Sequence, residues 1–241
     1  MKRIIIHVLA LTALISSSCR NDSNNTPSPS TGILLNDSFT ANMNGWEGEY
    51  TDYGTPQEGI IMFKFEYVGL PKPLNETQKA IRLYGENRSD DLFMFVRKKL
   101  TNLSPNSTYN LLFEIELASP YPAKSIGVGG SPASSVYLKA GASATKPIKI
   151  KDGDFYNLNL DKGNQAQSGK DLVVIGNMAN GKEVEEYTLI QRSNVGKLFT
   201  VKTDAKGEVW LIIGTDSGFE GNQFIYYTRI KVTALWKLLN S

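Results

Sequence analysis

Apolar and polar residues alternate with a period of two along much of this chain, and no helix-period segment of useful length interrupts them. Residues 109–117 are the clearest case. Tyr109, Leu111, Phe113, Ile115 and Leu117 share one side, while Asn110, Glu114 and Glu116 take the other, as in a strand with one face in a core. Leu112 is the exception on the outer side, where a loop would cover it. The stretch 209–213 is a short continuous apolar run, as expected of a strand buried on both faces. Residues 224–233 alternate again, with Phe224, Tyr226, Thr228, Ile230 and Val232 expected on one side and Ile225, Tyr227, Arg229, Lys231 and Thr233 on the other.

The same reading predicts strands over residues 33–39, 46–53, 59–68, 80–84, 92–100, 135–140, 155–160, 171–176, 184–192 and 198–203. Turn chemistry separates them, at Asn44-Gly45, Pro71 to Asn75, Asn102 to Ser107, Asn180-Gly181 and Asp204 to Gly207. About a dozen short strands define the fold class as all-β, a jelly-roll-type β-sandwich of two mainly antiparallel sheets with long polar loops. No internal repeat is visible. The tail at Trp236, Leu238 and Leu239 is expected to pack on the sandwich edge.

The first eighteen residues stand apart from this pattern. Lys2 and Arg3 precede an apolar stretch, and Ser16 to Ser18 lead into Cys19, as in a secretory signal. A lone Cys after small residues resembles the lipobox of bacterial lipoproteins, although Ser16 stands where Leu is usual. That predicts a signal peptide over 1–18, lipidation at Cys19 and a lipid-anchored place in the bacterial cell envelope. Residues 19–32 read as a Pro/Ser/Asn tether with nothing to bury, and 33–241 as one β-sandwich domain.

Removing the signal changes the charge. The 26 basic residues lose Lys2 and Arg3, which leaves 24 against 24 acidic ones, and the single histidine goes too. A neutral chain gives no electrostatic case for nucleic acid. Without histidine, and with Cys19 as the one cysteine, a Ser-His-Asp triad, a Cys-His pair and a His-ligated zinc site are closed to it. The Gly-rich stretch 127–132 lacks the Lys-Ser/Thr ending of a phosphate loop.

Three polar stretches hold more chemistry than turns require: 85–91 (GENRSDD), 161–169 (DKGNQAQSG) and 214–222 (GTDSGFEGN). The last, nine residues long, exceeds the roughly two to five of an ordinary hairpin loop. Asp90, Asp91, Asp161, Asp216 and Glu220 are candidate ligands for a structural Ca²⁺, which takes about six to eight oxygens from such loops. None of the three has EF-hand spacing, and Asp, Asn and Gly also serve simply as turn formers. Trp46, Tyr53 and Tyr121, with the loop residues Asn87, Arg88, Asn164 and Gln165, are candidate ligand-binding groups for a glycan, because aromatic faces stack on sugar rings. Tyr121 is the strongest of the aromatics, since it lies in a loop between Pro120 and Pro122.

The segments SDDLFMFVRKKLTNLSPNSTYNLLFEIELAS, VGGSPASSVYLKAGA, NLDKGNQAQSGKDLVVIGN and WLIIGTDSGFEG followed by YYTRIKV together resemble a family of secreted bacterial β-sandwich proteins of unknown function. The likeness spans most of residues 37–233. It implies an extracellular jelly roll similar in outline to carbohydrate-binding modules and galactose-binding-like domains, and carries no functional residues over. Three functions are consistent with these readings: a lipid-anchored, non-catalytic glycan-binding domain, a polysaccharide hydrolase using paired carboxylates, or a protein-binding adhesive component. The hydrolase requires two carboxyls facing each other across a cleft at roughly 5–10 Å.

Overall fold

The structure, a computed structural model, describes residues 30–236. The predicted signal peptide, Cys19, most of the tether and residues 237–241 lie outside them. In chain order the strands are β1 (Ser30–Ser38), β2 (Glu47–Thr51), β3 (Tyr53–Gly54), β4 (Lys64–Gly69) and β5 (Lys79–Asn87). Next come β6 (Leu92–Leu100), β7 (Thr108–Ser119), β8 (Val136–Ser143), β9 (Lys149–Asp152) and β10 (Phe155–Leu158). The last five are β11 (Leu172–Asn177), β12 (Thr188–Ser193), β13 (Phe199–Lys202), β14 (Val209–Ser217) and β15 (Gly221–Trp236). A single 3-10 turn at Thr55–Gln57 is the one helical element among the described residues.

Two large sheets form the sandwich. One runs β12-β7-β15-β5-β4, with β1 added along β15 and β13 along β7, and the other runs β11-β8-β14-β6-β2. A three-stranded sheet, β3-β10-β9, forms a third unit. All the described strand pairs are antiparallel. The core lies between the two large sheets. Leu111, Phe113, Ile115 and Leu117 of β7 pack there, with Met94 and Val96 of β6 and Leu211 and Ile213 of β14. Each such side chain contributes roughly 1.5–3 kcal/mol when fully buried.

The alternation predicted for β7 is present. That predicted for residues 224–233 changes phase partway. Ile225 and Tyr227 point into the core, but so do Ile230, Val232 and Ala234. The pairing of β15 with β7 shifts register between Tyr227 and Arg229, so a bulge absorbs one residue and moves the inward set from odd to even positions. Thr228 at the bulge is buried, and its hydroxyl donates to Glu116 Oε1 at 2.8 Å. Phe224 and Tyr226 consequently lie outside the main core, where Tyr226 packs in a small cluster with Leu70, Ala80 and Ala118.

The stretch 214–222 is also corrected. Gly214 to Ser217 continue β14, Gly221 and Asn222 begin β15, and only three residues, Gly218 to Glu220, form the turn. Asp216 therefore stands on a strand instead of a loop.

Candidate functional site

Side-chain parity on the five-stranded sheet creates the site. On β14, Leu211 and Ile213 face the core, so Ile212 and Asp216 face outward. On β8, Leu138, Ala140 and Ala142 are inward, so Lys139 is outward. Phe93 and Phe95 of β6 share this outer face and form a second apolar cluster with Ile212, Leu158 and Leu172. Residues 159–171 run over the face and cover it. The approach is close: a Cβ on Gly141 would lie 2.0 Å from the carbonyl oxygen of Asp171. Only glycine at that position of β8 admits the covering segment.

Under this cover lies a network of opposite charges. Lys139 and Asp216 are fully buried, and Lys139 Nζ is 2.8 Å from Asp216 Oδ2. The Lys139 ammonium also donates to the carbonyls of Lys162 and Gln167, at 2.8 and 3.0 Å. Lys162 reaches down from the covering segment, its Nζ 2.8 Å from Asp216 Oδ2 and 2.7 Å from Asp52 Oδ2. It also stands 5.5 Å from the centre of the Phe93 ring. Asp216 Oδ2 takes a third donor, the main-chain N–H of Gln165, at 2.9 Å. Burial lowers the Lys139 pKa, and Asp216 only partly offsets it. Burial acts on Lys162 as well, but attraction from Asp216 and Asp52 prevails and raises its pKa.

A pocket of about 250 Å³ opens above this network. Asp52, Asp91, Asn157, Asp161, Lys162 and Asn164 line it, and Leu158 and Leu160 supply its apolar part. Asp91 sits at the entry to β6. Burial, together with the nearby Asp216 and Asp52 carboxylates and against the pull of Lys162, pushes it up to about 7. Asp161 behaves oppositely. Backbone amides of Lys170 and Gly163 donate to its two oxygens, at 2.9 and 3.0 Å, and hold it below the usual carboxylate range. Asp52, Asp90 and Gln165 adopt left-handed backbone (φ 66, 60 and 44°), so strained residues surround the site.

The three predicted polar stretches do meet: Gln165 donates from its side-chain Nε2 to the carbonyl of Asp90 at 3.2 Å and from its main-chain N–H to Asp216. Their carboxylates do not form the predicted cation set. Asp161 is tied to its own loop, Glu220 engages Val128 through its main-chain amide at 2.9 Å, and Asp90 is exposed. The carboxylate oxygens that approach one another, within 4.8 Å, are those of Asp52, Asp91 and Asp216. Lys162 Nζ already stands between Asp52 and Asp216 where a cation would sit.

Among the predicted ligand groups, Asn164 lies on the pocket rim and Gln165 beside it. Asn87 is buried and donates to the carbonyls of Ser217 and Phe219, at 3.0 and 2.9 Å, which closes the β14–β15 turn. Arg88 pairs with Glu86 at the surface. Trp46 is 3% exposed and donates to Asp37 at 2.9 Å, so it offers no face to a ligand. Tyr53 is fully buried, stacks on Tyr50 and accepts from Lys149 at 2.7 Å. Lys149 Nζ in turn lies 4.3 Å from the Tyr50 ring centre and 5.0 Å from that of Tyr156, which fastens the three-stranded sheet to β2. Tyr121 is half-buried against the core.

Sequence reasoning missed Asp52, Lys139 and Asn157, and passed over Lys162 inside a stretch it had singled out. Lys139 carried a signal: it is the one charge in the apolar run SVYLKAGA.

No family model matches the chain, and no curated relative matches it. Among solved structures it is similar to a carbohydrate-binding module that specifically recognises mannan, at TM-score 0.43 and 10% identity over 85% of this chain and 98% of that one. It is also similar to a putative sugar-binding protein from Bacteroides thetaiotaomicron, at TM-score 0.36 and 13% identity over 77% and 87% of the two chains. A third is the K3 adhesin domain of Lys-gingipain from Porphyromonas gingivalis, at TM-score 0.35 and 14% identity over 85% and 99%. At these scores the likeness is one of outline and does not speak to function.

Proposed function

We propose that this domain is a lipid-anchored glycan-binding module, held outside the cytoplasm through Cys19, that takes one sugar unit of a chain into the pocket over Asp91. The observation that supports this most is the pocket's lining. Carboxylates and amides (Asp91, Asp161, Asn157, Asn164) accept and donate hydrogen bonds, as a hydroxyl-rich ring requires, and Leu158 and Leu160 meet its C–H face. The volume, about 250 Å³, falls just below the roughly 300–1,000 Å³ of pockets for larger ligands, which suits one ring and not a long segment. The test is retention of the chain from Arg20 onward on immobilised polysaccharides and host glycans. Selective retention that Asn164→Ala and Asn157→Ala weaken supports the reading, and uniform passage of the folded protein through every matrix sinks it.

A second reading is hydrolysis of the bound glycan. It is favoured by one fact: Asp91 and Asp161 line the same pocket, and their surroundings push the two carboxyls in opposite directions, as in an acid–base pair. Release of reducing ends from a retained polysaccharide, lost in Asp91→Asn, would favour this over simple binding.

A further inference from the structure

Asp91 and Asp216 are the two carboxylates of the network left with an unmatched oxygen. Oδ1 of each is buried and has no hydrogen-bond partner among the described residues. Asp216 Oδ2, by contrast, is already saturated by Lys139, Lys162 and the Gln165 amide. The two carboxylates bring oxygens within 4.8 Å of each other, and buried carboxylate oxygens without a donor suffer both desolvation and mutual repulsion. A single proton between them relieves both.

The charges around Asp91 lead to the same conclusion. Asp216 faces it from β14, with Lys139 of β8 bound to that carboxylate. Asp52 faces it from the turn after β2, and Lys162 and Asp161 from the covering segment. Asp90 precedes it on its own loop and is exposed. The inner set is Asp52, Asp91 and Asp216 against Lys139 and Lys162, three negative charges against two positive. One proton makes this set neutral.

We propose that Asp91 and Asp216 hold one proton between their Oδ1 atoms, and that this proton makes Asp91 the residue that sets what the pocket accepts. The second half rests on the pocket being the ligand site. While the proton is in place, Asp91 presents only Oδ2, an uncharged acceptor. When it leaves, Asp91 becomes a carboxylate whose hydrogen bonds from ligand hydroxyls are roughly twice as strong. A hydroxyl-donating ligand therefore binds more tightly as pH rises and releases a proton as it enters. The change falls near neutrality, because burial already places Asp91 at about 7.

The test has two parts, both on the chain from Arg20 onward. Carboxyl ¹³C NMR follows the titration of Asp91 without any ligand, using Asp91→Asn, a near-isostere of the neutral acid, to assign the signal. Retention on the glycan matrices is then compared at about pH 6 and about pH 8. A midpoint near 7 that vanishes in Asp91→Asn, with retention about tenfold stronger at the higher pH in the parent and pH-independent in the variant, supports the proposal. A midpoint below about 5 overturns the shared proton. A midpoint near 7 with pH-independent retention overturns its link to binding. If nothing is retained, the glycan reading falls, and the midpoint alone decides whether the proton is shared.

Discussion

Lys162 is fastened to Asp216 from above: its Nζ lies 2.8 Å from Asp216 Oδ2, with the carboxylate fully buried beneath it. The same ammonium binds Asp52. One side chain thus links the covering segment, the sheet and the turn after β2. Lys162→Met keeps most of the length of the side chain and removes the charge, leaving Asp52 without its ammonium partner and Asp216 with Lys139 as its one ammonium. A loss of about 3–5 kcal/mol is expected, as for one partner removed from a buried pair. Urea denaturation measures it, and a loss under about 1 kcal/mol would show that solvent reaches the network.

Asp91 gives stability an unusual slope. Its folded pKa, about 7, lies above the ordinary 3.8, so between these values the folded chain holds a proton that the unfolded chain has lost. The stabilisation is therefore complete below about pH 4 and disappears as pH rises through 7. Asp91→Asn lacks this dependence. Relative to the variant, the parent is expected to lose on the order of 2 kcal/mol between about pH 5 and pH 8, after allowance for its partial exposure. Thermal melts of both proteins across that range check it, and parallel curves would refute it.

Calcium should do little here. With Lys162 between Asp52 and Asp216, a divalent ion would have to displace an ammonium and its two close ion pairs. Melting temperatures in millimolar calcium and in EDTA are expected to agree within about a degree, whereas a structural ion would raise the melting point with its concentration. A clear upward shift with calcium would restore a cation to the site.

Tyr227 is fully buried, and its hydroxyl finds no hydrogen-bond partner among the described residues. Burial alone pushes its pKa up. Tyr227→Phe removes an unsatisfied hydroxyl from the core and keeps the ring. The variant is expected to be as stable as the parent or more stable, by up to about 1 kcal/mol, in chemical denaturation. A marked loss would reveal a partner for the hydroxyl, such as a buried water.

The sandwich itself was legible because its strands obey the period-two rule; β6 and β7 lie where alternation and apolar runs place them. β9 was not, because KIKD is short and mostly exposed and carries no apolar face to betray it. The phase change at Tyr227–Arg229 was hidden too, since a bulge leaves the composition of a strand unchanged while exchanging its faces. The candidate site was half legible. Asp91, Asp161, Asn164 and Asp216 were singled out as polar residues in excess of turn needs. Thr215, Asp216 and Ser217 read as loop because strands seldom bury such side chains, and for Asp216 the covering segment and its lysine make that burial tolerable. Nothing local in sequence brings Asp52, Lys139 and Lys162 together; only the five-stranded sheet that holds both β2 and β8, with residues 159–171 laid over it, does.

The long strand β15 also fixes which way the domain points. Its first residue, Gly221, leaves the turn beside Gln165 and Asp216, whereas its last, Trp236, pairs with Ser30 at the start of β1. Fifteen residue steps at roughly 3.3 Å separate these ends, about 50 Å if the strand were straight. Whatever precedes Ser30 therefore joins the domain at the pole opposite the pocket. A chain held from upstream of Ser30 would thus present the pocket away from its point of attachment, palm outward.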